Sequence, residues 1–466
     1  MPLFAFQTIQ NCLVSRLCLA IQCVAGSACR FPEQRLSSYF GARGRASRAL
    51  HSLAEPGNES GDYWRSTRSV VFLLIISFLS AVQPRFIQAD SPSLAVSKTE
   101  LFARGSLEGT ARDLSGFGGR LEEGTPLDQI GGFSAIEFSG SKNRYWVLAD
   151  RGPADGATSY QCRLHEIQLD FQLDIDARIG TIQSQLIATV PLFSEKREPL
   201  LGSHKLLTSD RRERGLALDP EGLRLLPGGG FAISEEYGPS IDQFSIDGLR
   251  QRSWSLPSWM LLTRELDLKK ATQGAMPNRG LEGLAISADG KRLIAAMQGP
   301  LIQDSYQEKE KRFSNFTRLI DLPVDGRGES KQWLYPLTDK SNGISEILAV
   351  DHHRFLVLER DGKTRTDAKC KHVYLIDTSH ATNVEASDHL DPIRLADNVQ
   401  AIEKRLVIDL LDPALRIPER FSLEKPEGLA WGPDLADGRK TLVVCFDNDF
   451  IVDQESLFLV FAFAPD

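Results

Sequence analysis

The sequence predicts an all-β protein: a β-propeller built of four-stranded blades. Three observations carry this. From residue 97 onward the chain is a series of short apolar runs, among them "RYWVLAD", "FAISEEY", "RLIAAMQ", "RFLVLER" and "KTLVVCF", broken by Gly, Asp, Asn and Pro. Many short strands with turn signals between them belong to sandwiches, barrels or propellers. An internal repeat then separates these possibilities. Each unit has an acidic residue at the start of an apolar strand, a turn, and a second apolar strand that ends in polar residues. Two further β-like runs follow most units, and four strands per unit is the make-up of a propeller blade.

Taken in order, the repeated starts are Glu137 in "FSAIEF", Glu221 in "DPEGL", Glu282 in "LEGLAI", Glu346 in "ISEILAV" and Glu427 in "PEGLAW", spaced by 84, 61, 64 and 81 residues. Five units are visible, and the two wider spacings leave room for a sixth. Segment 191–214 is polar and reads as a rim loop. Few stretches look helical; "AIEKRLVIDLLD", residues 401–412, is ambiguous. The last unit lacks an outer strand after "SLFLVFAFAP". The early run "KTELFARGSL", residues 98–107, is expected to supply it and so remove an unpaired sheet edge.

Residues 1–89 read as a presequence. The apolar run "VVFLLIISFLSAV", residues 70–82, is shorter than the roughly 20 residues of a membrane span. With Arg65 and Arg68 before it and "IQADSP" after it, segment 65–89 resembles a secretory signal, which implies a periplasmic or extracellular protein. A signal so far from residue 1 suits a true start near position 60; a long presequence or an uncleaved anchor would place it there as well. Membrane contact is expected only if 70–82 is retained. The net charge of -8 argues against a general nucleic-acid binder, which would carry a basic footprint. Beyond the presequence only Cys162, Cys370 and Cys445 remain, and Cys445 within "LVVCF" reads as a small core residue.

In an antiparallel hairpin the start of the first strand and the end of the second lie at the same end. The second strands exit at Asp150-Arg151, Glu235-Glu236, Gln298, Glu359-Arg360 and Asp447-Asn448, so the repeated glutamates should gather on one face near the axis together with Asp150, Glu235, Glu359 and Asp447. So many carboxylates need compensation from a cation, arginines or backbone donors. Arg151, Arg279 and Arg360 are close in sequence. A hard cation such as Ca²⁺ takes six to eight oxygens from carboxylates, amides and water. The expected metal ligands are Asp150, Glu235, Glu427, Asp447 and Asn448, and the expected catalytic residues are Glu221, Glu282 and Arg151. The competing reading is that each Glu-Gly simply turns the chain into an inner strand, its carboxylate held by backbone donors or an arginine. There is no G-x-S-x-G elbow, P-loop or zinc-type cysteine and histidine cluster.

The motifs "VLADRGP", "LDPEGL" with "ISEEYGPSI", "NRGLEGLAISADGKRL", "LVLERD" and "PEGLAW" with "LVVCFDNDF" together resemble the phytase-like family described as having esterase-like activity, found mainly in exported bacterial proteins. The resemblance covers roughly residues 115–458, within a domain expected at 97–466. It implies hydrolysis of phosphate or carboxylic esters of small molecules. A non-enzymatic, calcium-stabilised propeller that binds a glycan, a peptide or an envelope protein is the alternative. Oligomeric state is left open.

Overall fold

A computed structural model of the chain describes residues 99–172, 178–263 and 269–463. The expectations for residues 1–89, the signal-like segment included, fall outside the described residues. The first strand, β1 (Thr99–Leu107), precedes a blade of β2 (Phe133–Phe138), β3 (Arg144–Ala149), β4 (Arg163–Gln172) and β5 (Gly180–Pro191). Blade 2 is β6 (Pro220–Leu225), β7 (Phe231–Glu235), β8 (Ser240–Phe244) and β9 (Arg250–Trp254). Blade 3 begins with β10 (Leu281–Ile286) and β11 (Arg292–Met297). After a small hairpin of β12 (Tyr306–Glu308) and β13 (Lys311–Phe313) it continues with β14 (Phe316–Pro323) and β15 (Lys331–Pro336). Blade 4 is β16 (Gly343–Ala349), β17 (Arg354–Arg360), β18 (Lys371–Asp377) and β19 (Glu403–Asp409). Blade 5 has β20 (Pro426–Trp431), β21 (Lys440–Phe446) and β22 (Ser456–Phe463), with β1 added antiparallel as its outer strand, Thr99 opposite Phe463. The early run thus does complete the last blade. The ambiguous stretch at 401–412 contains β19, a strand.

The innermost strands touch in the cyclic order β2, β6, β10, β16, β20 and back to β2. Among the described residues the ring therefore closes at five blades. The room left for a sixth is taken by connections, chiefly residues 192–219 and 378–402. The first of these is the expected rim loop, and it carries a 3₁₀ turn at His204–Thr208 and a single helical turn at Arg211–Arg214.

Each seam between neighbouring blades holds one apolar cluster. Leu284 of β10 packs into the seam with blade 2, beside Ile241 and Trp254, while the next residue, Ala285, faces blade 4 with Ile347 and Val357. Successive side chains on a strand point to opposite faces, and in a propeller both faces are covered. This is why the inner strands read as unbroken apolar runs rather than alternating ones. Cys162, Cys370 and Cys445 are all buried free thiols.

The axis is plugged. Arg224 of β6 is 1% exposed, and its guanidinium donates to the carbonyls of Ile136, Leu223, Ile347 and Leu429, reaching four of the five blades. Its charge is met by Glu346 at 3.1 Å and Glu137 at 3.6 Å. Two of the repeated glutamates are thus drawn down inside the channel to an arginine, and only Glu221, Glu282 and Glu427 stand at the mouth.

Candidate functional site

Backbone register explains which side chains reach the mouth. Every inner strand starts with an irregularity in its pairing: at Ser134 in β2, Glu221 in β6, Glu282 and Gly283 in β10, Ser345 in β16 and Glu427 in β20. A bulge re-aims the side chain that it carries. The structurally equivalent residues are therefore Ser134, Glu221, Glu282, Ser345 and Glu427. Glu346 lies one place past the bulge, and Glu137 three. The glycine after the bulge permits a close approach between strands. A Cβ on Gly283 would lie 2.7 Å from Cα of Glu346 in the next blade, and one on Gly222 would lie 2.7 Å from the Glu282 carbonyl oxygen.

The matching exits follow from backbone bonds just beyond each hairpin. Asp150 N–H donates to Gly132, Glu236 to Asp219, Gln298 to Gly280 and Asp447 to Lys425; in blade 4, Arg360 lies opposite Gly343. The exit ring is accordingly Asp150, Glu236, Gln298, Arg360 and Asp447. Glu235 is not part of it. Its carboxylate accepts from the N–H groups of Tyr237 and Gly238 and from the Ser240 hydroxyl, within its own turn. Burial, then the charge of Asp242, raises its pKa to about 8. Asn448 is also turned to the backbone: its Oδ1 accepts from Gly132 and Phe450 N–H, and its Nδ2 donates to the Gln454 carbonyl. The Glu359 carboxylate lies in the seam between blades 3 and 4, where it accepts from Tyr335, Asn342 and Lys404.

The structure brings together Asp219, Glu221 and Glu236, which can offer carboxylate oxygens all within 4.8 Å of one another. Asp219 is held by the guanidinium of Arg151, which also pairs with Asp155. Glu236 Oε1 accepts from Gly280 N–H at 2.7 Å. Glu282 follows in the next blade, its Oε1 held by the Gln298 amide. Beyond it, Arg360 pairs with Glu427 and donates to the Ser345 hydroxyl. Lys425 pairs with Asp447 and Asp449. Of the two residues that complete the acidic set, Glu236 belongs to the expected exit pair Glu235-Glu236, whereas Asp219 was legible only as a neighbour of Glu221 within "LDPEGL".

The electrostatics are those of carboxyls in excess. Burial raises the pKa of Glu221 well above the usual range, and the charges of Glu282 and Asp219 add to it. Burial and the Glu282 and Asp219 charges do the same to Glu236, against the pull of Arg151. Glu282 is lifted to about 7 by burial and by Glu427, and Asp447 to about 6 by burial, against Lys425. Asp150 is raised well above its ordinary value by burial and by the charge of Asp447. At the mouth, Asp219 Oδ1 and Glu282 Oε2 are buried and receive no N–H or hydroxyl donor among the described residues; the nearest groups are other carboxyls, Glu221 beside Asp219 and Glu236 beside Glu282. Orphaned buried acceptors of this kind ask for an ion or water. An all-oxygen donor set with unsatisfied lone pairs fits a hard divalent cation.

Beside the acids lies a cationic recess of about 190 Å³ lined by Asn278, Arg279, Gln298, Gly343, Ser345 and Arg360. Arg279 donates to the Asn342 carbonyl at 2.7 Å, but its Nε is buried without a partner. Among the described residues no carboxylate lies within ion-pair distance of it. Gly299 leaves the slot for its guanidinium, since a Cβ there would sit 2.4 Å from Nε. Burial pulls the pKa of Arg279 down.

The chain matches the family model described as "Phytase-like: Esterase-like activity of phytase" over residues 128–450. It belongs to that family. A relative described as an "uncharacterized secreted protein" of the fungus Arthroderma benhamiae is 23% identical over 333 residues, covering 55% of this chain and 65% of its own length. The resemblance read from the motifs points mainly to bacterial proteins; this relative is fungal. Among solved structures, a virginiamycin B lyase from Staphylococcus aureus matches at 11% identity and a TM-score of 0.31, covering 78% of this chain and 99% of its own. The calcium-binding protein regucalcin from Agrobacterium tumefaciens matches at 10% identity and a TM-score of 0.33, over 78% of this chain and 96% of its own. At scores this low the architecture rests on the chain's own strand pairing.

Proposed function

We propose that this chain is an exported hydrolase of phosphate or carboxylic esters of small molecules, dependent on one divalent cation such as Ca²⁺ held by Asp219, Glu221 and Glu236. The observation that carries the proposal is a juxtaposition. Buried carboxylates with unsatisfied oxygens lie next to a recess whose arginine, Arg279, has no carboxylate partner among the described residues. When bound, a cation at such a site polarises an ester or phosphoryl oxygen and lowers the pKa of a bound water. The chain's own residues do the rest. Arg151 fixes Asp219. Gln298 fixes one oxygen of Glu282, whose carboxyl also shares a hydrogen bond with the carboxyl of Glu236, and its pKa of about 7 suits a general base at neutral pH. Arg279 and the recess receive an anionic oxygen of the substrate. Of the expected metal ligands, Asp150 and Asp447 lie on the same face and set its charge, Glu427 is engaged by Arg360, and Glu235 and Asn448 serve their own turns. Export follows from the signal-like segment 65–89 and is in keeping with the secreted relative.

The test is turnover of p-nitrophenyl acetate, p-nitrophenyl phosphate and phytate by the purified chain, with calcium and with chelator. Calcium-dependent release of product is expected. Silence on every substrate, with calcium still raising the melting temperature, would turn the reading to a ligand-binding propeller.

A further inference from the structure

Blades 2 and 5 present the same three backbone positions at the mouth of the axis. In blade 2 these are Asp219 before the inner strand, Glu221 at the bulge and Glu236 after the second strand. In blade 5 they are Lys425, Glu427 and Asp447. The backbone establishes the equivalence: Glu236 N–H donates to the Asp219 carbonyl at 3.0 Å, and Asp447 N–H donates to the Lys425 carbonyl at 2.9 Å. Pro220 lies opposite Glu235, and Pro426 opposite Phe446. Each set also receives one arginine from the preceding blade, Arg151 onto Asp219 and Arg360 onto Glu427.

The two sets differ in sign at a single place. Where blade 2 has a carboxylate, blade 5 has an ammonium. Lys425 Nζ lies 3.2 Å from Asp447 Oδ2 and contacts the carboxylate of Asp449. The consequence shows in the hydrogen bonding. In blade 2, Asp219 is fully buried and its Oδ1 is orphaned. In blade 5, no buried oxygen of Glu427 or Asp447 lacks a partner among the described residues. One set is complete as folded, and the other is not.

We infer that Lys425 is a built-in cation occupying the position that a second metal ion would otherwise take, so that this face binds one divalent ion, in blade 2, and none in blade 5. The inference rests on the cation reading given above. Lys425 then fixes the stoichiometry of the site and keeps Asp447 and Asp449 paired whether or not metal is present.

Restoring the blade 2 pattern in blade 5 tests it. The full chain, stripped with chelator, is titrated calorimetrically with CaCl₂ as wild type and as Lys425→Asp, with melting curves in chelator and in calcium. The expected result is one ion per chain for wild type and two for Lys425→Asp, with a larger calcium-induced rise in melting temperature in the variant. If wild type takes one ion and a folded Lys425→Asp also takes one, the inference is overturned and the blade 2 site stands. Two ions in wild type overturn it as well, since the ammonium would then exclude nothing. No binding in wild type removes the cation reading itself. Should Lys425→Asp fail to fold even in calcium, Lys425→Gln, which removes the ammonium without adding charge, is titrated in its place and read the same way.

Discussion

Calcium should stabilise this protein far more at neutral pH than at pH 5, and the size of the effect follows from the buried acids. Burial holds Glu282 at about 7 against an ordinary 4.5. Glu221 and Glu236 are raised well above the same value. A carboxyl whose folded pKa is raised favours the folded state while it stays protonated, and that contribution is lost as pH rises towards the folded pKa. For Glu282 alone, at about 1.4 kcal/mol per pH unit, the loss from pH 4.5 to 7 is on the order of 3 kcal/mol. A bound cation reverses this by stabilising the charged form, and in binding it displaces protons. If the proton displaced is that of Glu282, whose carboxyl is hydrogen-bonded to the proposed ligand Glu236, apparent affinity rises about tenfold per pH unit below 7, or roughly 3 kcal/mol between pH 5 and 7. With an unfolding entropy of ~2.1 cal/mol/K per residue, a domain of this size shifts by ~1.3 °C per kcal/mol, so the calcium-induced rise in melting temperature should grow by about 4 °C over that range. His165 works in the opposite direction. Burial lowers its pKa, so its contribution to stability grows as pH rises towards 6.5. It is bonded to Thr189, away from the site, so it moves the curves with and without calcium equally and cancels in their difference. The assay is differential scanning fluorimetry from pH 5 to 7.5 in calcium and in chelator. A calcium increment that is absent, or the same at every pH, would refute the reasoning.

Other outcomes follow from the same structure. Arg224→Met should cost about 3–5 kcal/mol, because Glu346 and Glu137 would be left buried and unpaired; adding Glu346→Gln and Glu137→Gln should restore much of it, as urea melts would show. Glu282→Gln should abolish ester turnover while the circular dichroism spectrum is unchanged, and full activity in this variant would exclude Glu282 as the base. Arg279→Gln should raise KM for anionic esters at least about tenfold and leave a neutral ester unaffected; equal loss on both would show that the recess does not read charge.

The blade architecture was legible because inner strands carry the chain's most regular signal, an apolar run bounded by Glu-Gly at one end and polar residues at the other. The site was legible only to within a residue or two. The repeated letter in the sequence is glutamate, but the repeated place in the fold is the bulge, and the two coincide only at Glu221, Glu282 and Glu427. Glu346 and Glu137 fall past the bulge and meet Arg224, whose place on the axis is set by packing among blades far apart in sequence. The same single step separates Glu235, bonded into its own turn, from Glu236, which faces the acids. No periodicity in a lone sequence resolves that step, because a one-residue shift in a strand changes the face on which a side chain lies.

The pairing of β1 with β22 joins Thr99 to Phe463, close to the two ends of the described chain. During synthesis the fifth blade therefore cannot be completed until β22 has left the ribosome, and β1 must wait, unpaired by it, while the four intervening blades are made. Contacts so distant in sequence make closure slow compared with the formation of single hairpins. Once β22 is in place, the same pairing resists fraying from either end of the ring.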